Sequence, residues 1–128
     1  MSVSYKELVA DAEERIEDIS AEEAIAELSS SEVVFVDLRD VRELKREGKI
    51  PGAFHCPRGL LEFWIDAESP YHHKIFTEDK RFIFYCNLGW RSALAADVAQ
   101  KMGLKKVCHI AGGFDAWKLA GGAVETRA

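Results

Sequence analysis

Apolar positions along this chain recur at two spacings, which predict helices and strands in turn. Tyr5, Leu8, Val9, Ala12 and Ile16 share one helical face behind Ser4, whose capping-box partner is Glu7. A first helix over roughly 4–15 follows. A short extended stretch at 16–19 leads to a second capping box, Ser20 with Glu23, and the helix behind it turns Ala24, Ile25 and Leu28 inward. VVFVDL at 33–38 is a near-continuous apolar run of strand length, as expected of a strand covered on both faces. A charged helical segment at 41–47 stops at Gly48, and Ile50-Pro51-Gly52-Ala53-Phe54 is a turn feeding another short strand. Leu60, Leu61, Trp64 and Ile65 predict a helix over 58–66, followed by an irregular ESPYHHK stretch. FIFYC at 82–86 is a second buried strand, 92–102 a helix closed by Gly103, and VCHI at 107–110 a third buried strand. Gly112-Gly113 breaks the chain before a final helix that carries Phe114, Trp117 and Leu119.

Strand-like runs alternating with helices indicate an α/β domain with a mostly parallel sheet. In such sheets ligands sit outside the carboxyl ends of the strands, and Cys86 ends a predicted strand. The 128 residues suit one domain. No apolar stretch approaches the roughly 20 residues that cross a bilayer, and the acidic, helical N-terminus is unlike a signal peptide, so a cytoplasmic location is expected.

The net charge of −5 is unevenly spread, −8 over residues 1–32 and +3 over the remainder. That asymmetry speaks against nucleic-acid binding by the N-terminal part and leaves the rest mildly receptive to anions. Cys56, Cys86 and Cys108 cannot all pair, and their spacing matches no zinc pattern, so at least one is a free thiol.

Cys86-Asn87-Leu88-Gly89-Trp90-Arg91-Ser92 singles out which one. A strand delivers a cysteine, a loop turns at a glycine, and a helix begins near Arg91 or Ser92. Unpaired amides at a helix start carry partial positive charge, and a turning loop points further amides inward. A sulfur placed there is stabilised as the nucleophilic thiolate. Gly89 allows backbone angles closed to other residues, and Arg91 adds a permanent charge with a fork of donors.

This loop resembles the Cys-x-x-Gly-x-Arg-Ser active-site loop of single-domain rhodanese-like sulfurtransferases. DLRDVRELKREGKIPGAFHCP at 37–57 resembles that family's Asp-x-Arg…Gly-His-Ile-Pro-Gly-Ala segment, with Lys49 in place of the usual histidine. VCHIAGGFDAWKLAGGAVE at 107–125 resembles its closing Gly-Gly…Trp segment. The resemblance spans about 16–125, leaving 1–15 as a helical extension, and implies a five-stranded, mostly parallel sheet flanked by helices. It also implies a reaction: Cys86 takes the outer sulfur of a small anionic donor such as thiosulfate, becomes a persulfide, and yields that sulfur to cyanide, a thiol or a protein acceptor. On this reading the backbone of Asn87, Leu88, Gly89 and Trp90 cradles the sulfur, Arg91 orders the loop and favours anions, and no metal or organic cofactor takes part. Phosphatase-type relatives have five residues between cysteine and arginine. Here there are four, a ring too tight for phosphate.

Other residues have lesser roles. Asp37 and Arg39, with Ser92, are expected to brace the loop. Arg58 either lines the pocket rim or is solvated. Trp90 shields the persulfide, meets a protein acceptor or packs on the rim. His72 and His73 read as surface histidines, Cys108 and His109 as strand core, and Trp64 and Trp117 as core aromatics. Cys56 is either a second thiol or a half-buried bystander. The N-terminal helix packs on its own domain or mediates a homodimer. Against the enzyme stand two alternatives, a non-catalytic interaction module and a dedicated persulfide relay to another protein. The intact cysteine, glycine and arginine speak against the first.

Overall fold

In the strand β4 (Arg81–Tyr85), Phe82 and Phe84 enter one apolar cluster and Ile83 and Tyr85 another, so the strand is buried on both sides. β2 (Val33–Asp37) and β5 (Val107–Ile110) alternate in the same way, Phe35 against Val36 and Cys108 against Val107. This is the two-residue period of a sheet sandwiched between helices. The computed structural model describes residues 2–126. With β1 (Glu17–Ile19) and β3 (Phe54–His55), the strands form one sheet in the order β1-β5-β4-β2-β3, every neighbouring pair parallel.

One face carries α2 (Ala21–Ala26) and α6 (Gly113–Leu119), which bury Ala24, Phe114 and Trp117 on Phe35, Ile83 and Ile110. The other carries α4 (Leu61–Ile65) and α5 (Trp90–Lys101), where Leu61, Ala95, Ala96 and Ala99 meet Val36, Phe82 and Phe84. The alanines of α5 let that helix approach the sheet closely. α3 (Val41–Glu47) follows β2, with Asp40 and Glu43 forming its capping box and Gly48 closing it at φ 79°. His109 lies between Cys108 and Ile110 on β5, so alternation turns it toward the α5 face.

Several boundaries differ from the sequence expectation. The segment 58–66 is a 3-10 turn, Arg58–Leu60, followed by α4. A further 3-10 turn, Lys74–Thr77, interrupts the irregular stretch. β4 ends at Tyr85, leaving Cys86 in the loop, and α5 begins at Trp90 because Gly89, at φ 100°, turns the chain directly into it. The capping boxes at Ser4 and Ser20 are both formed.

α1 (Tyr5–Glu13) packs against α5, but its apolar face is only partly covered. Ala12 is buried, Val9 and Ile16 half-buried, while Tyr5 and Leu8 remain exposed. Polar contacts complete the junction: Arg15 Nε and Nη2 donate to the two oxygens of Asp97 on α5 at 2.9 and 2.8 Å, and Gln100 donates to the Arg15 carbonyl. The Arg15 hydrogen bond holds the Asp97 carboxyl down at about 2, below its ordinary 3.8. A depressed carboxyl contributes fully above its ordinary value and ceases to as pH falls through the lowered one. Protection of the α1 amides from hydrogen exchange should therefore persist down to about pH 4 and decline toward pH 2, and Asp97→Asn should be weaker above about pH 4, with the difference closing as the carboxyl protonates. Equal protection in the variant and the parent above that pH would show that the ion pair does not hold α1.

Candidate active site

The chain leaves β4 at Tyr85 and enters α5 at Trp90, so the four residues 86–89 make a tight turn at the carboxyl end of the central strand. Carbonyls on the outside of that turn are held by the start of α6. Phe114 N–H donates to Cys86 O at 2.7 Å, and Asp115 N–H donates to Asn87 O at 3.2 Å. With the carbonyls drawn outward, Gly89 N–H points inward and donates to Cys86 Sγ at 3.2 Å. Gly113 makes the close approach possible, since a Cβ there would lie 2.5 Å from both carbonyl oxygens, with φ at 62° besides. Gly89 is needed for its angle alone, because a Cβ there would meet nothing nearer than 3.5 Å.

Cys86 is 1% exposed, at the base of a pocket lined by Asn87, Leu88, Trp90, Arg91 and Asp115. Leu88 and Trp90 stand outward on the rim, about half exposed, and Tyr5 of α1 places its ring 4.9 Å from that of Trp90. Trp90 is therefore a rim residue backed by the N-terminal helix. Cys56 and Cys108 are fully buried, and burial pushes their thiols up to about 12 and about 11. Cys56 is not half-buried, because it sits in the cluster under α4 and α5. Neither thiol lines the Cys86 pocket.

Arg91 does not project freely into the pocket. Its Nη1 and Nη2 donate to the two oxygens of Glu43 on α3 at 2.8 and 3.0 Å. That fork holds the Glu43 carboxyl below its ordinary range, and Glu43, together with the charge of Cys86, raises Arg91 against the opposing effect of burial. Asn87 likewise turns its side chain to α3, donating to Glu43 and Glu47 and accepting from Arg39 at 3.2 Å. Of Asn87, what faces the site is backbone.

Beneath the loop, Arg39 is fully buried. It donates to Asp37 through Nε and Nη2 at 3.0 and 2.8 Å and to Gly48 O at 2.8 Å. Tyr85 donates to the same Asp37 carboxylate at 2.6 Å and accepts from Ile50 N–H. Burial and the negative Asp37 together push the Tyr85 hydroxyl well up. Ser92, also buried, sits 3.6 Å from Cys86 Sγ and 2.9 Å from His109 Nδ1.

Arg58 is not brought to the pocket. Its amide is tied to Leu38 O, and its guanidinium pairs with Glu62 one helical turn on at 3.0 Å. His72 and His73 are half-buried, with the His73 ring 4.1 Å from that of Trp64. Glu43, Asp115, Tyr5 and His109 join the site without having been expected there. Glu43 had a visible signal only as the capping partner of Asp40, and His109 only as a polar residue within an apolar run.

A family model described as Rhodanese-like domain matches residues 20–120. The chain is 30% identical over 95 residues to the thiosulfate sulfurtransferase/rhodanese-like domain-containing protein 3 of Mus musculus, covering 70% of this chain and 60% of that protein. It is 28% identical over 105 residues to the thiosulfate:glutathione sulfurtransferase of Homo sapiens, covering 77% of this chain and 90% of that protein. A solved structure from Rhodopseudomonas palustris CGA009, described as a protein of unknown function and possible tyrosine phosphatase, shares 55% identity. It superposes with a TM-score of 0.95 over 98% of this chain and 96% of that one.

The two loop glycines should differ in cost. Gly89→Ala meets only an unfavourable angle and should lose about 1–2 kcal/mol. Gly113→Ala adds a collision with two backbone oxygens and should lose about 2–4 kcal/mol. Urea unfolding of both variants checks this, and an equal or reversed order would break the account of how the loop is held.

Proposed function

The chain belongs to the rhodanese-like sulfurtransferase family, and from that premise we propose that it carries a sulfane sulfur as a persulfide on Cys86. The observation that carries this reading is the cysteine at the base of a pocket, with Gly89 N–H on its sulfur and two other cysteines locked in the core. In the first half-reaction the Cys86 thiolate attacks the outer sulfur of a thiosulfate-type donor. A Cys86–S–S bond forms, the donor's S–S bond breaks, and its electron pair leaves with sulfite. In the second, a thiolate or cyanide attacks the outer sulfur, and the electrons of the breaking bond return to Cys86 as thiolate. Both displacements balance at sulfur without an external oxidant or reductant. Gly89 N–H stabilises the anionic sulfur at the start and end of each cycle. Arg91, fixed by Glu43, supplies positive charge at the pocket wall.

A tyrosine-phosphatase activity, the possibility attached to the Rhodopseudomonas relative, is less well supported. Four residues rather than five separate Cys86 from Arg91, and both terminal nitrogens of Arg91 are engaged by Glu43. A phosphoryl group needs that fork for its own oxygens. For the acceptor, the exposed apolar rim of Leu88 and Trp90, with Tyr5 against Trp90, favours a bulky thiol or a protein over a small ion. A dedicated persulfide relay is the form of sulfur transfer this rim suits. An inert interaction module has no use for a cysteine held this way.

Intact-mass measurement after thiosulfate treatment should show one added sulfur atom, removed by cyanide and absent in Cys86→Ser. An adduct that persists in Cys86→Ser would place the sulfur elsewhere and end the proposal. In parallel, the protein should not cleave p-nitrophenyl phosphate. Cleavage lost in Cys86→Ser would turn the assignment to phosphorus chemistry.

A further inference from the structure

A buried histidine lies behind the nucleophile, and the sulfur chemistry above makes no use of it. His109 is 1% exposed on β5, on the face covered by α5. Its Nδ1 is 2.9 Å from Ser92 Oγ, and Ser92 Oγ is 3.6 Å from Cys86 Sγ. Its Nε2 is buried and has no hydrogen-bond partner among the described residues.

These contacts fix where the hydrogens go. A neutral imidazole carries one N–H. If that proton sat on Nε2, a buried N–H would have no acceptor, at a cost of about 1–3 kcal/mol. A bare lone pair there is the lesser loss. The cationic form would strand the same N–H and add a buried charge, and burial does disfavour the cation here, lowering His109 from its ordinary value. The proton therefore belongs on Nδ1, which donates to Ser92 Oγ. The Ser92 hydrogen then cannot point at His109. Among the described residues the other hydrogen-bond partner of this hydroxyl is Cys86 Sγ, which donates to Ser92 Oγ as a thiol and can only accept from it as a thiolate.

We propose that His109 is a positioning residue of the sulfur-transfer site: it orients the Ser92 hydroxyl to donate a hydrogen bond to the Cys86 sulfur from the buried side. The sulfur then receives two donors from different directions, Gly89 N–H from the loop and Ser92 O–H from the first turn of α5. An anionic sulfur accepts such bonds far better than a thiol. The gain falls on the two states in which Sγ bears charge: the attacking thiolate, and the thiolate released when an acceptor takes the outer sulfur. His109 gives and receives no proton in either displacement. Other charges bear on this line from each neighbouring element. Arg91 stands on α5, its partner Glu43 on α3, Asp115 at the start of α6, and Asp18 of β1 acts on His109.

This inference rests on the reading of Cys86 as a sulfur carrier, but alkylation of the thiol tests it separately. In the unaltered protein, nitrogen-15 spectra of the His109 ring should show a neutral imidazole protonated at Nδ1 between pH 6 and 8. A proton on Nε2 would overturn the proposal. The iodoacetamide rate of Cys86 at neutral pH should fall about fivefold in His109→Leu, the effect of one neutral hydrogen bond. Its midpoint against pH should move upward by roughly half to one pH unit. In a Ser92→Ala background, His109→Leu should change neither quantity further, because the link is already cut. Equal losses in both backgrounds would mean that His109 only packs the core. If thiosulfate leaves no sulfur on the unaltered protein, sulfur transfer fails, while spectra and alkylation still decide the role of His109. If His109→Leu does not fold, the spectra of the unaltered protein decide alone.

Discussion

A single buried cation holds the site together. Arg39 is wholly out of water, a placement that costs several kcal/mol unless its donors are met. They are met by four parts of the chain. Asp37 ends β2, the Gly48 carbonyl closes α3, Asn87 lies in the loop after β4, and the ring of Phe114 in α6 lies 4.4 Å beneath the guanidinium. Removing either member of the Asp37–Arg39 pair would leave the other charged and unpartnered, a change worth about 3–5 kcal/mol in comparable settings. The position of Cys86 is therefore set by the carboxyl end of the neighbouring strand as much as by its own loop.

The constraint extends outward through carboxylates. Glu43 caps its own helix at Asp40, receives Asn87 and grips Arg91 in a fork. One side chain thus joins the start of α3 to the start of α5. Arg91 shapes the loop from outside while Arg39 shapes it from below. The loop's own donor to Cys86 Sγ is a backbone amide, Gly89 N–H.

Much of this was legible in the chain. The apolar runs at 33–38, 82–86 and 107–110 became β2, β4 and β5, since a strand covered on both faces has no other composition open to it. Cys86, Gly89 and Arg91 were legible because strand, turn and helix are contiguous there, and local geometry follows from local sequence. What stayed hidden depends on contacts between distant segments. Glu43 meets Arg91 across 48 positions, and Ser92 meets His109 across 17. Arg58 read as either a rim residue or a solvated one, and a helical turn gave it Glu62 as partner instead. The apolar face of α1 looked complete in sequence, yet Tyr5 and Leu8 remain exposed where α1 packs on α5.

The hold of α6 on the loop also has a meaning in time. Residues 86–89 are synthesised before residues 113–115, whose amides receive their carbonyls, and before β5, which inserts between β4 and β1. A nascent chain that has emerged only as far as α5 carries Cys86 without the bonds that shape its turn. The loop is thus completed by its last-made partner. The geometry around Cys86 is complete only with closure of the domain, and a partly made chain lacks it.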